Sequence, residues 1–197
     1  MQHYVDITLL PNDEVGHYFL WGKLYQQMHL AMVAHNRGDN GVIGFSFPEY
    51  RTEKARLGSK LRIFAPTKDE LTELNIAKWL SRFSDYCHIS SIKQVPEHTQ
   101  YALFSRRHCR TNIEGLVRRR VKRKGESLEQ AREYFVGYTV DYSLLPFVEL
   151  ESLSSDNLQE SRNKFKLFIE QKIITEKQSG QFNCYGLSKI ASAVPWF

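Results

Sequence analysis

The chain has 197 residues, of which 42% are hydrophobic, and its formal net charge is +5. That length is enough to bury a core, as one large domain or as two small ones. We expect no membrane-spanning helix, because no run of about 18 apolar residues is present, and no signal peptide, because no basic leader precedes an apolar block at the N-terminus.

Predicted strands and helices alternate along the first half of the chain. The strand pattern "HYVDITLL" ends at Pro11, and a helical pattern follows it from about Val15 to His35. The residues predicted for the inner face of that helix are Leu20, Leu24, Met28 and Ala31. Two strands, "VIGFSF" and "KLRIFA", come next. A second helix follows, with a capping box at Thr67 and Glu70 and with core residues as far as Leu80. The fourth strand is "HISSIKQV". The order β-α-β-β-α-β predicts a ferredoxin-like domain over residues 1–96.

Positive charge is concentrated between Arg106 and Lys124. This segment holds nine Lys or Arg and one acid, so it carries +8, and the rest of the chain together carries −3. Such a block on a slightly acidic body indicates a surface for a polyanion. The alternative is a solvated, disordered basic tail, since runs of like charge are often disordered.

The local pattern favours a helix over a tail. Thr111 and Glu114 have the spacing of a capping box, so a helix is predicted to begin at Asn112, and Gly125 stands where a helix usually ends. One face would hold an apolar stripe, and the opposite face would display Arg118, Arg119, Lys122 and Arg123, with Arg120 nearer the apolar side. A disordered tail needs no apolar stripe, so we predict an arginine-rich helix over about residues 112–124.

The remainder of the second half is predicted to contain a short helix near Leu128 to Phe135 and strands around "FVEL", "KFKLFIEQ" and "QFNCYGLS". The chain is therefore assigned to the α+β class, with an α+β module at residues 97–197 after the ferredoxin-like domain. The three cysteines, Cys87, Cys109 and Cys184, form no Cys-x-x-Cys pair, which is typical of a cytosolic protein without a zinc site.

Short pieces from end to end of the chain resemble one known family. They are "HYVDI", "MHLAMVAH", "GFSFP", "RLGSKLRI", the arginine helix, "LPFVEL", "FKLFI", "CYGLSK" and "VPWF". Together they are similar to the CRISPR repeat-processing endoribonucleases of subtype I-F systems. That family combines a ferredoxin-like N-terminal half with an RNA-binding half, which agrees with the pattern above.

The resemblance implies a cytoplasmic RNase that needs neither metal nor cofactor. Such an enzyme cuts a CRISPR transcript beside the hairpin of its repeat and stays bound to the crRNA product, together with other protein subunits of a surveillance complex. The substrate supplies its own nucleophile, the 2′-OH, so the protein must only remove that proton and align the attack. The products are a 2′,3′-cyclic phosphate and a 5′-OH.

The resemblance also assigns catalytic residues. His29 stands at the position of the family's catalytic histidine, although a lone helix histidine is more often structural. "GKLY" also resembles the family's "GKLH", which would place Tyr25 there instead, but counting from the N-terminus favours His29. Ser152, or its neighbour Ser154, matches the serine that positions the ribose hydroxyl, and Tyr185 matches a tyrosine near the histidine.

The resemblance to this family assigns RNA-binding residues as well, on the basic segment and elsewhere in the chain. Arg119, Lys122 and Arg123 match helix cations that face the hairpin, and Arg118 shares their face. Arg106 matches an arginine that reads a guanine, which it can do through two hydrogen bonds. His108 stands where the family has glutamine, and Phe165 resembles an aromatic residue that stacks on the bottom base pair.

Two other classes of function fit parts of this pattern. A non-catalytic subunit that binds an RNA hairpin would have the same basic helix and the same ferredoxin-like pattern. A DNA-binding regulator could read a duplex through that helix, and it would prefer DNA to RNA.

Overall fold

The computed structural model describes residues 1–36, 41–97, 100–109, 113–138, 143–152 and 163–197. They form two compact units, of which the larger contains Met1–Arg107 and Leu145–Phe197 and the smaller contains His108–Leu144. The predicted α+β class is confirmed. Among the described residues, no helix is both long enough and apolar enough to cross a membrane.

The first sheet of the larger unit contains strands from the first half of the chain. Its order is β2-β3-β1-β4, all of these pairs are antiparallel, and β5 also pairs with β1. The strands are β1 (His3–Leu9), β2 (Gly44–Ser46), β3 (Lys60–Ala65), β4 (Cys87–Ile89) and β5 (Lys93–Gln94). The helices between them are α1 (His17–His35), α2 (Lys68–Leu74) and α3 (Ile76–Trp79), followed by a 3-10 turn at Ser81–Phe83.

Two elements of this half differ from their predicted form. The second helix is divided at Asn75, whose backbone is left-handed with φ of 48°, although the predicted cap at Thr67 is present. The fourth strand is divided between β4 and β5. The Ser90 hydroxyl accepts a hydrogen bond from the Asp6 backbone at 3.0 Å, so a side chain replaces a backbone carbonyl in the ladder and interrupts the strand.

The second sheet contains only strands from residue 100 onward. Its order is β7-β8-β6-β10-β9, and β11 pairs with β6. The strands are β6 (Gln100–Arg107), β7 (Phe147–Glu151), β8 (Lys164–Ile174), β9 (Gln181–Phe182), β10 (Ser188–Ile190) and β11 (Val194–Trp196). The predicted strands at "FVEL" and "KFKLFIEQ" are therefore present. The strand predicted at "QFNCYGLS" is wrong over residues 183–187, which form a turn between β9 and β10 because the Asn183 side chain bonds to the backbone of the residues that follow it.

A single apolar core fills the larger unit. It includes the four residues predicted for the inner face of α1, all of which are buried, together with Tyr25 and residues of both sheets such as Phe45 and Phe104. Helix α1 also contacts β7 closely, since a Cβ at Gly22 would lie only 2.8 Å from the Glu149 carbonyl oxygen. The core therefore holds α1 in place against the second sheet.

The C-terminal residue is anchored by a buried arginine. The Arg62 guanidinium makes two hydrogen bonds to Asp6, at 2.7 and 3.0 Å, and donates to the Phe197 backbone oxygen at 3.2 Å. It also lies 4.6 Å from the ring centroid of Tyr4 and 4.3 Å from that of Phe197. These contacts connect β1 and β3 to the end of the chain.

The smaller unit contains two packed helices, α4 (Ile113–Lys124) and α5 (Leu128–Tyr134). Val117 of α4 and Ala131 of α5 are its buried residues, and Gly125 ends α4 with φ of +69°. The predicted helix start at Thr111 and Asn112 lies outside the described residues. The four cations predicted for the outer face of α4 are exposed, as expected.

Candidate active site

The loop between β9 and β10 is held in one conformation by its own residues. The Asn183 side-chain oxygen accepts hydrogen bonds from the backbone N–H groups of Tyr185 and Leu187, at 2.9 and 3.1 Å. Gly186 has φ of +69° and packs against Phe45 so closely that any Cβ would clash with that ring. Asn and Gly are both typical of turns, so the sequence itself carries a signal for this loop.

Helix α1 binds this loop through two side chains that are one turn apart. The Tyr25 hydroxyl donates to the Tyr185 carbonyl oxygen at 2.8 Å, and His29 Nδ1 lies 2.9 Å from the Cys184 carbonyl oxygen. Residues four apart lie on the same face of a helix, so both reach adjacent carbonyl groups of the same loop.

The contact to Cys184 determines which nitrogen of His29 carries the proton. A carbonyl oxygen can only accept a hydrogen bond, so Nδ1 must donate. In the neutral ring, Nε2 then has the free lone pair and is the atom able to accept a proton. The ring of Tyr185 stacks on the imidazole, with centroids 4.2 Å apart and planes 9° from parallel.

Burial favours the neutral form of His29. Desolvation lowers the pKa of His29 from its ordinary value, and the hydrogen bond to the Cys184 carbonyl opposes this only in part. The ring is therefore neutral, and able to act as a base, at neutral pH.

Tyr25 differs from His29 in how deeply it is buried and in having no second polar atom beyond the one already hydrogen-bonded. It is fully buried, and its hydroxyl proton is engaged by the Tyr185 carbonyl. Burial raises the pKa of Tyr25 well above its ordinary value. Of the two candidates for the reacting position, the geometry favours His29 and gives Tyr25 a structural contact.

Arg106, at the end of β6, joins two further predicted residues to this group. Its guanidinium carbon lies 5.7 Å from the ring centroid of Tyr185 and 5.6 Å from that of Phe165. Burial raises the pKa of Tyr185, and the positive charge of Arg106 partly offsets that rise. His29, Tyr185, Arg106 and Phe165 therefore form one continuous series of contacts.

Ser152 lies directly after β7, near the middle of α1. The Glu151 backbone N–H donates to Gln26 Oε1 at 3.0 Å, and Gln26 is three residues before His29. The Ser152 N–H donates to the Asn163 carbonyl at 2.8 Å. The alternative serine, Ser154, lies outside the described residues.

The remaining predicted RNA-binding residues, His108, Arg118, Arg119, Lys122 and Arg123, belong to the smaller unit and are exposed. Arg120 is half-buried because its guanidinium makes two hydrogen bonds to Glu126, at 2.6 and 2.9 Å. Across the described ranges, no group of three or more His, Cys, Asp or Glu is placed to hold a metal ion.

A family model described as "CRISPR-associated protein (Cas_Csy4)" matches residues 4–197. The chain belongs to this Csy4 family. Two curated relatives, each named "CRISPR-associated endonuclease Cas6/Csy4", align with this Csy4 chain over its full length and over theirs. The one from Escherichia coli (strain UTI89 / UPEC) is 34% identical over 198 residues, and the one from Pseudomonas aeruginosa (strain UCBPP-PA14) is 37% identical over 198 residues.

A solved structure titled "An RAMP protein binding different RNA substrates" covers all of the Csy4 chain at 10% identity, with a TM-score of 0.36, too low to bear on fold or function. The family resemblance drawn from the quoted motifs is confirmed by the family match and the two relatives. The enzyme class, a CRISPR-associated endonuclease, is confirmed with it.

Proposed function

We propose that this Csy4 protein is an endoribonuclease that recognises the stem-loop of CRISPR repeat RNA and cuts at the base of the hairpin without a metal ion. The observation that supports this best is the orientation of His29, whose Nδ1 donates to a backbone carbonyl and whose Nε2 is left as the proton acceptor. A single oriented base is sufficient, because RNA provides the attacking 2′-OH beside the scissile phosphate.

In the proposed reaction, His29 Nε2 removes the proton of the 2′-OH. The 2′ oxygen then bonds to phosphorus, the bond from phosphorus to the 5′ oxygen breaks, and that oxygen takes up a proton. The products are a 2′,3′-cyclic phosphate and a 5′-OH. Ser152 would position the ribose hydroxyl, and Tyr185 would keep the imidazole in line through its parallel stack.

Recognition of the hairpin is assigned to two sets of residues. Arg118, Arg119, Lys122 and Arg123 are exposed on α4 and would contact phosphates, which gives affinity without sequence preference. In the larger unit, Arg106 would read a guanine through O6 and N7, and Phe165 would stack on the bottom base pair. His108, with one in-plane edge, would read its base less strictly than glutamine.

We also propose that residues 1–96 are a ferredoxin-like domain and that residues 97–197 are the RNA-binding domain. The antiparallel order β2-β3-β1-β4 around α1 and α2 supports the first assignment. The second is supported by strand pairing, since each named strand of the described residues pairs only within its own half of the chain. One isolated bridge, between Gly41 and Phe182, joins the two halves.

After cleavage, the protein would stay bound to the mature crRNA in the cytoplasm as one subunit of a type I-F surveillance complex. The many cations on α4 support slow release, because each phosphate contact adds to the affinity for the hairpin.

One experiment tests the reaction. The protein is incubated with its repeat RNA in EDTA, with and without a 2′-deoxy substitution at the cut position. We expect cleavage in EDTA that stops on deoxy substitution. Tight binding of the unmodified RNA without cleavage would favour a non-catalytic hairpin-binding subunit, and a preference for matched DNA would favour a regulator.

A further inference from the structure

Strand β7 is at one edge of the second sheet, and α1 lies along that edge. In the described residues, β8 pairs with one side of β7 and no strand pairs with the other. On the open side, the Glu149 carbonyl oxygen would lie 2.8 Å from a Cβ at Gly22, and the Glu151 N–H donates to Gln26 Oε1 at 3.0 Å. A side chain of α1 therefore accepts the hydrogen bond that a further strand would otherwise accept.

These two contacts occur in the same order along α1 and β7. Four residues of the helix correspond to two residues of the strand. The two elements match in length, because both steps are roughly 6 Å at rises of about 1.5 Å per helix residue and about 3.3 Å per strand residue. Ser152, the next residue of the chain after β7, therefore leads toward the turn of α1 that carries His29, three residues after Gln26.

The backbone around Ser152 is held from two sides. Its own N–H donates to the Asn163 carbonyl at 2.8 Å, and the N–H of the preceding residue, Glu151, donates to Gln26. Lys23 Nζ also lies 3.4 Å from Glu151 Oε1, but both of those side chains are partly exposed, and an exposed ion pair contributes little. Gln26 is therefore the stronger of the two polar links between α1 and the end of β7.

We propose that Gln26 is a positioning residue for RNA cleavage. It holds the end of β7 against α1, so that Ser152 and His29 keep the spacing that a single ribose requires. This inference rests on the proposed function, in which Ser152 positions the 2′-OH whose proton His29 removes. Gln26 acts through the backbone of Glu151 and has no contact with the RNA, and its effect on rate follows from the sensitivity of aligned reactants to small displacements.

Single-turnover cleavage of the repeat RNA at saturating protein tests this role. Gln26→Met keeps a side chain of similar length but lacks the acceptor oxygen. We expect it to lower the rate by about two- to tenfold, which corresponds to the loss of one hydrogen bond, and to leave the Kd for the hairpin unchanged. Gln26→Glu retains an acceptor oxygen and should keep more of the rate than Gln26→Met.

A double-mutant cycle separates positioning from general damage. The Ser152→Ala protein has no hydroxyl left to position, so adding Gln26→Met to it should have no further effect on the rate. The pH profile gives a second readout. Gln26→Met should lower the plateau of the rate and leave the midpoint unchanged, because the midpoint belongs to His29.

The matched control is Gln27→Met, the same substitution at the next position of α1. Gln27 lines a pocket with Trp79 and Arg82 instead of contacting β7, so this variant should cleave at the parent rate. Circular dichroism of each variant should show the helix content of the parent.

Three results for Gln26→Met would overturn the inference: the parent rate, an equal loss with and without the Ser152 hydroxyl, or a shifted pH midpoint, which would place the effect on His29. If Ser152→Ala cleaves at the parent rate, the role of Ser152 in the proposed function fails and this inference fails with it. A parent protein that does not cleave repeat RNA rejects both. A slow Ser152→Ala beside a Gln26→Met that cleaves at the parent rate rejects this inference alone.

Discussion

The imidazole of His29 lies parallel to the ring of Tyr185, with centroids 4.2 Å apart, while its Nδ1 is bound to the carbonyl of the preceding residue, Cys184. A hydrogen bond in the plane of the ring and a stack on its face together restrict rotation about both side-chain torsions. The direction of Nε2 is therefore set before any substrate is present, which is the preorganisation that an efficient general base requires.

The pH dependence of cleavage should follow His29. Because the base must be unprotonated, the rate should fall about tenfold per pH unit below its pKa and level off above it. Burial lowers the pKa of His29, so in the free protein the midpoint should lie below about 6.5, the ordinary value for histidine. Cleavage at limiting enzyme concentration measures this midpoint, and NMR titration of the ring checks it. A midpoint above the ordinary value would contradict the assignment.

His29→Ala and Tyr25→Phe should have separate effects. The first should abolish cleavage and leave hairpin affinity largely intact, because it removes the base. The second removes one hydrogen bond to the Tyr185 carbonyl, so it should cost about 1 kcal/mol of unfolding free energy and keep most of the activity. Single-turnover cleavage and urea unfolding of both variants measure this. An inactive but stable Tyr25→Phe would reverse the two roles.

Ser152→Ala should reduce the single-turnover rate. Loss of one aligning hydrogen bond is worth about 0.5–1.5 kcal/mol, which corresponds to roughly two- to tenfold in rate. Tyr185→Ala should be slower than Tyr185→Phe, because only the alanine variant loses the stack on His29. If Ser152→Ala and Tyr185→Ala both cleave at the parent rate, the supporting roles of Ser152 and Tyr185 are wrong.

The salt dependence of binding should report the cations of α4. Arg119, Lys122 and Arg123 are exposed there, and each alanine substitution that removes a phosphate contact should lower the slope of log K against log salt by about 0.7–0.9. Filter binding from low to physiological salt gives the slope. Lys68→Ala, on α2 of the larger unit, is the control and should not change it. Unchanged slopes for all three α4 variants would remove this helix from the interface.

Arg62 should be one of the most sensitive positions for stability. It is 8% exposed and is paired with Asp6, so Arg62→Ala leaves a carboxylate buried without its partner. Breaking a buried pair in this way costs about 3–5 kcal/mol of unfolding free energy. Chemical denaturation should show that loss, and the double variant Arg62→Met with Asp6→Leu should recover part of it. A loss below about 1 kcal/mol would indicate that the pair contributes little.

Local patterns in the sequence were sufficient for most of the elements. The apolar period of α1 predicted its buried face, and the apolar stripe and charge of α4 predicted a helix that exposes arginines, because both depend on residues within a few turns of each other. The motifs along the chain were also sufficient to identify the family, since their order and spacing are properties of the sequence itself. The breaks at Asn75 and Ser90 were missed because a left-handed backbone and a bond between a side chain and a neighbouring strand leave little trace in periodicity.

Only the tertiary structure shows how the surroundings of Tyr25 and His29 differ, since the two residues stand on the same face of one helix. The two side chains differ in their hydrogen-bond partners, which for His29 is a backbone carbonyl 155 residues away in the sequence. They also differ in how deeply each is buried. The same holds for Arg106 of β6, since β8 and the loop that carries Tyr185 must both pack beside it before its guanidinium lies near the rings of Phe165 and Tyr185. Hydrogen bonding and desolvation between distant segments set the chemistry of a side chain, and neither exists until the chain has folded.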